Sequence, residues 1–170
     1  MVAGSLASTY HGEPRATQDI DLVIDPSREA LQRFASELDP ERFYVSSEAA
    51  SEAWARRGLV DLSSGWKIDL ILRKDRPFSR EEFARRLPAT IFETAVFVAS
   101  AEDTILSKLE WARSGESERQ LRDVLGVVEV SGGSLDRGYG ERWADALGVR
   151  GLWEHVVAEA EAGPSRAQEP

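Results

Sequence analysis

The sequence predicts an α/β (α+β) protein, with a mixed α/β half over residues 1–99 and a helical half over residues 100–162. Three observations predict it. Up to residue 99, short runs rich in Ile, Leu and Val alternate with turn signals and helix caps. From Ser100 onward apolar residues recur at helical spacing. With 170 residues and 42% hydrophobic content, the chain has the size of one compact domain, which buries roughly 70% of its unfolded surface, rather than of two full-sized ones.

The elements follow in order. Met1-Val2-Ala3 is a short apolar strand that meets Gly4-Ser5, and a helix over Leu6–Tyr10 is broken by Gly12-Glu13-Pro14. Asp19–Ile24 alternates as a strand, with Ile20, Leu22 and Ile24 on one face and Asp19, Asp21 and Val23 on the other. Asp25-Pro26 starts a helix running to Leu38, Asp as cap and Pro at the first position. A strand over Phe43–Ser46 and a helix over Glu48–Arg57, ended by Gly58, come next. Leu59–Leu62 and Trp66–Leu72 form a hairpin around Ser63-Ser64-Gly65. Ser79-Arg80-Glu81-Glu82 has capping-box spacing and opens a helix that stops before Pro88. Thr90–Ala99 is the last strand. Four helices follow, over Ala101–Arg113, Ser117–Val130, Asp136–Leu147 and Leu152–Ala162, and the tail 163–170 is expected to be disordered.

Composition narrows the function classes. There is no cysteine, which excludes disulfides and thiolate metal or redox sites. No apolar run approaches the roughly 20 residues that span a bilayer. No basic segment leads into an apolar block at the N-terminus, so a soluble, cytoplasmic protein without a membrane partner is expected. The net charge of −9 argues against non-specific nucleic-acid binding. Residues 56–86 nevertheless hold nine basic and five acidic side chains, which is either a phosphate-facing patch or a solvated mixed surface.

One constellation carries chemistry. Asp19-Ile20-Asp21 sets two carboxylates on one strand face, about 7 Å apart at Cα, where they repel unless a cation lies between them. Hard divalent cations take such oxygens and share their remaining positions with phosphates. Asp69 stands in an otherwise apolar strand, Trp66–Leu72, where a carboxylate must be paired or ligate metal. Gly4-Ser5 lies where a strand passes into a helix. Free N–H groups and the positive end of a helix dipole there suit a phosphate, although Ser5 also reads as an ordinary cap. Arg15 lies close enough in sequence to touch a phosphate oxygen, and Thr17 to hold the loop. Lys67 shares a strand face with Asp69 and either binds phosphate or neutralises it. Lys108 and Arg122 border apolar helical stripes, from which they reach a cleft or solvent. Arg119 and Asp123 are spaced for a surface ion pair.

Gly4-Ser5, thirteen intervening residues, Asp19-Ile20-Asp21 and then Asp69 on a later strand: this arrangement resembles the nucleotidyltransferase superfamily related to DNA polymerase β. Gly4-Ser5-Leu6-Ala7 followed by Pro14-Arg15-Ala16-Thr17-Gln18-Asp19-Ile20-Asp21-Leu22 is similar to its small bacterial members, among them AbiEii-type toxins of toxin–antitoxin systems. That group's helical Lys and its later Arg-x-x-basic-Asp run are matched by Lys108 and by Arg119-Gln120-Leu121-Arg122-Asp123, with Arg122 where lysine is commoner. The resemblance covers about residues 3–130. Only three residues precede Gly4, so the first strand is expected to be short or trimmed.

The resemblance implies a small mixed β-sheet flanked by helices, with a helical C-terminal part. It implies Mg²⁺ (or Mn²⁺) on Asp19 and Asp21, with Asp69 as third carboxylate assisting an acceptor hydroxyl. The NTP, such as ATP, is then bound through Gly4 and Ser5, with Arg15, Thr17, Lys67, Lys108 and Arg122 as further nucleotide-binding residues. The acceptor is a tRNA or other RNA, a protein or a small molecule, and a toxin role implies a cognate antitoxin. The alternative is a nucleotide- or partner-binding module of the same fold without turnover. A glycosyltransferase using Asp-x-Asp is weaker, since the chain is short for such a fold.

Overall fold

The computed structural model describes residues 1–45, 56–115 and 117–163. Its elements are β1 (Val2–Ala3), α1 (Gly4–His11), β2 (Asp19–Ile24), α2 (Arg28–Glu37), β3 (Phe43–Val45), β4 (Arg56–Asp61), β5 (Lys67–Leu72), α3 (Pro77–Ala84), β6 (Leu87–Ile91) and β7 (Thr94–Val98). Four helices complete it: α4 (Ala101–Arg113), α5 (Ser117–Ser131), α6 (Arg137–Ala146) and α7 (Arg150–Ala162). The chain divides into two compact units. One comprises Met1–Leu6 and Ala16–Ala99; the other comprises Ala7–Arg15 and the chain from Ser100 onward. No described helix is long and apolar enough to cross a membrane.

The first unit is built on one mixed sheet of order β3-β4-β5-β2-β1-β7-β6. β2 and β5 run parallel, paired from Asp19↔Lys67 to Ile24↔Leu72. β1 is antiparallel to β2 and parallel to β7. Because side chains alternate along each strand, paired residues share a face. Val98, Val2, Leu22 and Leu70 form one apolar rung, and Ile20, Ile68 and Leu59 another. Val98, Val2, Leu59 and Leu70 are buried. This burial fixes the register, since a slip of one residue would turn the apolar set outward. The opposite face carries the polar residues of β2 and β5.

Several boundaries differ from the sequence reading, each for a local reason. The strand expected over Thr90–Ala99 is a hairpin of β6 and β7, turning at Phe92 and Glu93 with φ of 47° and 62°. Two positive φ values in a two-residue loop form the turn that Asn-Gly usually signals, and neither residue advertises it. Pro88 fits inside β6 because that strand ends the sheet and needs no donor there. Helix α2 is capped by Ser27, whose Oγ accepts the Ala30 N–H at 3.2 Å, while Asp25 pairs with Arg73 at 2.9 Å. Pro77 starts α3 two residues before the expected Ser79, and the Ser79 hydroxyl accepts from Arg76 Nε instead. Of the helix expected over Glu48–Arg57, residues up to 55 lie outside the described ones, and Arg56 and Arg57 belong to β4. Residues 164–170 of the expected tail also lie outside them, as does Ser46. In the β4–β5 turn, the Ser63 hydroxyl and N–H both donate to Asp61, holding its carboxyl down at about 2.

In the second unit Ser100 caps α4 by accepting the Asp103 N–H, and its hydroxyl donates to Asp103 Oδ2 at 2.8 Å. The Tyr139 hydroxyl donates to the other oxygen of this fully buried carboxylate. The core is Ile105, Leu106 and Leu109 of α4, Val124, Val127 and Val128 of α5, and Trp153 and Val156 of α7. Gly12 lies against the α5 backbone, 2.7 Å from Val127 N at the position a Cβ would take. Gly140 makes room for Trp153 in the same way, its Cβ position lying 2.1 Å from the ring. Gly140→Ala is therefore expected to cost about 1–3 kcal/mol through overpacking, seen as a lower urea midpoint at unchanged slope. An unchanged midpoint would contradict the packing of α6 on α7.

Candidate functional site

The polar face of the first unit is set by the pairing of β2 with β5. Asp21 pairs with Asp69 and Asp19 with Lys67, so the three carboxylates and the lysine share one face. Adjacent strands are about 4.8 Å apart, and Asp19 lies about 7 Å along the strand from Asp21. On the flanking strands Ala3 pairs with Asp21 and Gly58 with Asp69. The two residues that flank the acidic rung in register are thus both small.

Each carboxylate has its own environment. Asp19 is exposed at the start of β2, and its N–H donates to Thr17 Oγ1 at 3.2 Å, which ties down the turn into the strand. Asp21 is half-buried and rests on Gly4: a Cβ there would lie 2.0 Å from Asp21 Oδ2. Gly4 also has φ of +57°, and it is the first residue of α1. The Asp21 carboxylate thus faces the positive end of that helix. Asp69 is 3% exposed, and Lys67 Nζ donates to its Oδ2 at 3.0 Å. Ser5, in the first turn of α1, is buried. Among the described residues, no three His, Cys, Asp or Glu side chains are gathered as a ready metal-binding group. Asp19, Asp21 and Asp69 share one sheet face and offer carboxylate oxygen, the donor type that a hard cation takes, without being gathered into one such group.

The remaining basic residues belong to the second unit. Arg15 grips Asp123 with Nε to Oδ1 at 3.0 Å and Nη2 to Oδ2 at 3.2 Å. Lys108 Nζ donates to Asp123 Oδ2 at 2.7 Å and to Gln120 Oε1 at 3.1 Å. Lys108 is buried, not extended to solvent from the edge of its stripe. Asp123 is the hub of this group and pairs with Arg15 and Lys108 in place of the expected Arg119, while Arg119 and Arg122 are exposed. Burial raises the Asp123 carboxyl, but the hydrogen bonds and charges of Lys108 and Arg15 outweigh it and hold the group below its ordinary value. Burial pulls the Lys108 ammonium down, against the opposing pull of Asp123. The hub role of Asp123 had no local signal, since its partner Arg15 is 108 residues away.

No family model and no curated protein matches the sequence. Among solved structures, the chain is similar to an antigenic nucleotidyltransferase-like protein from Paracoccidioides brasiliensis. The TM-score is 0.55 at 15% identity, over 92% of this chain and 83% of that one. It is also similar to the antibiotic-resistance factor ANT(2'')-Ia, with TM-score 0.53 at 14% identity, over 95% and 84% respectively. The chain has a nucleotidyltransferase-like fold. This agrees with the small mixed sheet, flanking helices and helical C-terminal part that the sequence implied.

Two substitutions test the geometry. Gly4→Ala places a methyl group on the Asp21 carboxylate at a positive φ, and is expected to cost about 1–3 kcal/mol. Thermal unfolding indistinguishable from the unsubstituted protein would contradict the contact. Asp123→Asn leaves Lys108 buried without its anion, with an expected loss of about 3–5 kcal/mol near neutral pH. Because the folded-state pKa of Asp123 is depressed, its contribution is complete above the ordinary carboxylate value of 3.8 and is lost as pH falls through the folded value. Denaturant midpoints across acid pH should therefore converge for the two proteins. A gap that persists unchanged at the acid end would contradict the assignment.

Proposed function

We propose that this protein is a metal-dependent nucleotidyltransferase that moves an NMP from an NTP to an acceptor hydroxyl. The observation that carries the reading is the strand pairing that sets Asp21 beside Asp69, with Asp19 on the same face, at the start of α1. The nucleotidyltransferase-like fold supports it.

In this reading Asp19 and Asp21 hold Mg²⁺ or Mn²⁺, with Asp69 as the third carboxylate. Such an ion, when bound, neutralises phosphate charge and activates phosphorus toward attack. The residues themselves do the positioning. The N–H groups of the first turn of α1, at Gly4 and Ser5, offer donors to phosphate oxygens. Thr17 fixes the approach to Asp19. Asp69, buried and adjacent to Asp21, accepts the proton of the acceptor hydroxyl, whose oxygen bonds the α-phosphorus as pyrophosphate departs. The acceptor is a hydroxyl of a small molecule, an RNA such as tRNA, or a protein. If the chain acts as the toxin of a toxin–antitoxin pair, its expression arrests growth and Asp21→Asn relieves the arrest.

The alternative, a nucleotide-binding module without turnover, is favoured by one observation: Asp69 is ion-paired with Lys67. Radiolabelled NTPs with Mg²⁺ or Mn²⁺, offered cell RNA, cell protein and small polyols, separate the two. Transfer of label with pyrophosphate release is expected. Asp19→Asn and Asp21→Asn should each lower it by about a hundredfold or more, the scale of losing a charge-positioning group. Tight NTP binding with no pyrophosphate released would support the binding module. Label transfer unaffected by both substitutions would refute the site.

A further inference from the structure

We infer that the base of the nucleotide stacks on an apolar rung of the first unit's sheet, with Phe97 as its platform. The inference rests on the nucleotidyltransferase reading and adds to it where the base sits and how little of its edge is read.

The strand register builds the rung. Val23 and Ile71 are paired and lie two residues beyond Asp21 and Asp69 on the same face. Met1 pairs with Val23 through both backbone bonds: its N donates to Val23 O at 2.9 Å, and Val23 N donates to Met1 O at 2.8 Å. Val2 pairs with Val98 on the opposite, apolar face, so Phe97 falls beside Met1. Pro88 pairs with Phe97 at the edge of the sheet. Ile71, Val23, Met1, Phe97 and Pro88 therefore line up across the sheet from β5 to β6, and none of them is buried.

Apolar side chains exposed singly need no explanation, but these five are contiguous and border the acidic rung. Successive residues on one strand face are about 7 Å apart, and strands about 4.8 Å apart. The apolar rung lies one such step from Asp21, on the side away from Asp19 and Lys67. Phosphates held at the start of α1 and beside Asp21 leave the ribose and base to extend along the face, where they meet this rung. Its size selects the occupant. By those spacings it measures about 19 Å by about 7 Å, far below the roughly 800 Å² per partner of a stable protein interface. One heterocycle and its ribose fit it.

Phe97 is held as a platform. It is 48% exposed, while Arg86 lies over its ring with Cζ 4.8 Å from the centroid. Arg86 is itself fixed: Cζ lies 4.6 Å from the Phe83 ring centroid, and Nη1 donates to Phe83 O at 2.6 Å. The guanidinium thus backs the Phe97 ring and leaves it half open to a second planar group. A nucleobase fills that role through its π-face, which every base has, so stacking holds it without reading its edge. The rung residues carry no polar side chain to read one. The site therefore favours the larger purine ring over a pyrimidine and treats adenine and guanine alike.

Calorimetry with ATP, GTP, CTP, UTP and tripolyphosphate, which has the charge but no base, tests the assignment, both in EDTA and in Mg²⁺. ATP and GTP should bind the unsubstituted protein with similar affinity, and CTP and UTP more weakly. Phe97→Ala should weaken ATP and GTP about tenfold, the scale of one lost base–aromatic stack. It should leave tripolyphosphate binding unchanged, which also reports that the variant is folded. Phe97→Trp should retain or tighten ATP binding. The fluorescence of 2-aminopurine riboside triphosphate should be quenched on binding to the unsubstituted protein, a readout that needs no variant. If ATP and tripolyphosphate bind equally, or Phe97→Ala leaves ATP affinity unchanged, the base lies elsewhere and the nucleotide reading stands. Parallel loss of ATP and tripolyphosphate in Phe97→Ala, with 2-aminopurine unquenched, also overturns the platform. If neither ATP nor tripolyphosphate binds in either condition, the platform and the nucleotide reading both fall.

Discussion

The register between β2 and β5 is the constraint on which the proposed chemistry depends. A parallel pair locked by Ile20, Leu22, Ile68 and Leu70 on its apolar face has no freedom to slide. The same lock therefore fixes what the other face presents. Asp21 falls beside Asp69, and Asp19 beside Lys67, because the hydrophobic residues between them fall into place. Charge repulsion alone would separate these carboxylates. The apolar face holds them together, and Lys67 offsets part of the cost.

Glycine completes the arrangement where carboxylate and backbone approach closely. Gly4 combines a left-handed backbone conformation with the absence of a side chain that would occupy the Asp21 carboxylate. Gly58 stands next to Asp69, whose Oδ1 lies 3.4 Å from the position of a missing Cβ. The second unit solves a different electrostatic problem. There Lys108 is removed from water and requires Asp123, which in turn is fixed by the two-pronged grip of Arg15. Such a group contributes little over an apolar core of the same shape, yet losing one member is costly. It is best understood as a device that fixes Arg15 and Lys108 in one arrangement.

How legible this was in the sequence follows the range of the interactions. Alternation alone located β2 over Asp19–Ile24, because one face of it is apolar throughout. The helices from Ala101 onward were legible from their spacing. The β6–β7 turn was not, since Phe92 and Glu93 adopt positive φ without the usual turn residues. The helix starts at Ser27 and Pro77 were misread because competing caps lay within two or three residues. At the site, the face shared by Asp19 and Asp21 followed from strand geometry. The partnership with Asp69 required the pairing of strands 48 residues apart, which periodicity does not encode and the family resemblance implied. Asp123 read as half of a surface pair with Arg119, because a partner as distant as Arg15 leaves no local trace.

Asp19, Asp21 and Asp69 are proposed to share one cation on a single sheet face. Anomalous diffraction from crystals grown with Mn²⁺ and α,β-methylene-ATP tests it most directly. Such a site requires an anomalous peak within coordinating distance of Asp21 and of at least one of Asp19 and Asp69, with the phosphates sharing the ion. A manganese peak elsewhere, with those three carboxylates left untouched, would contradict it.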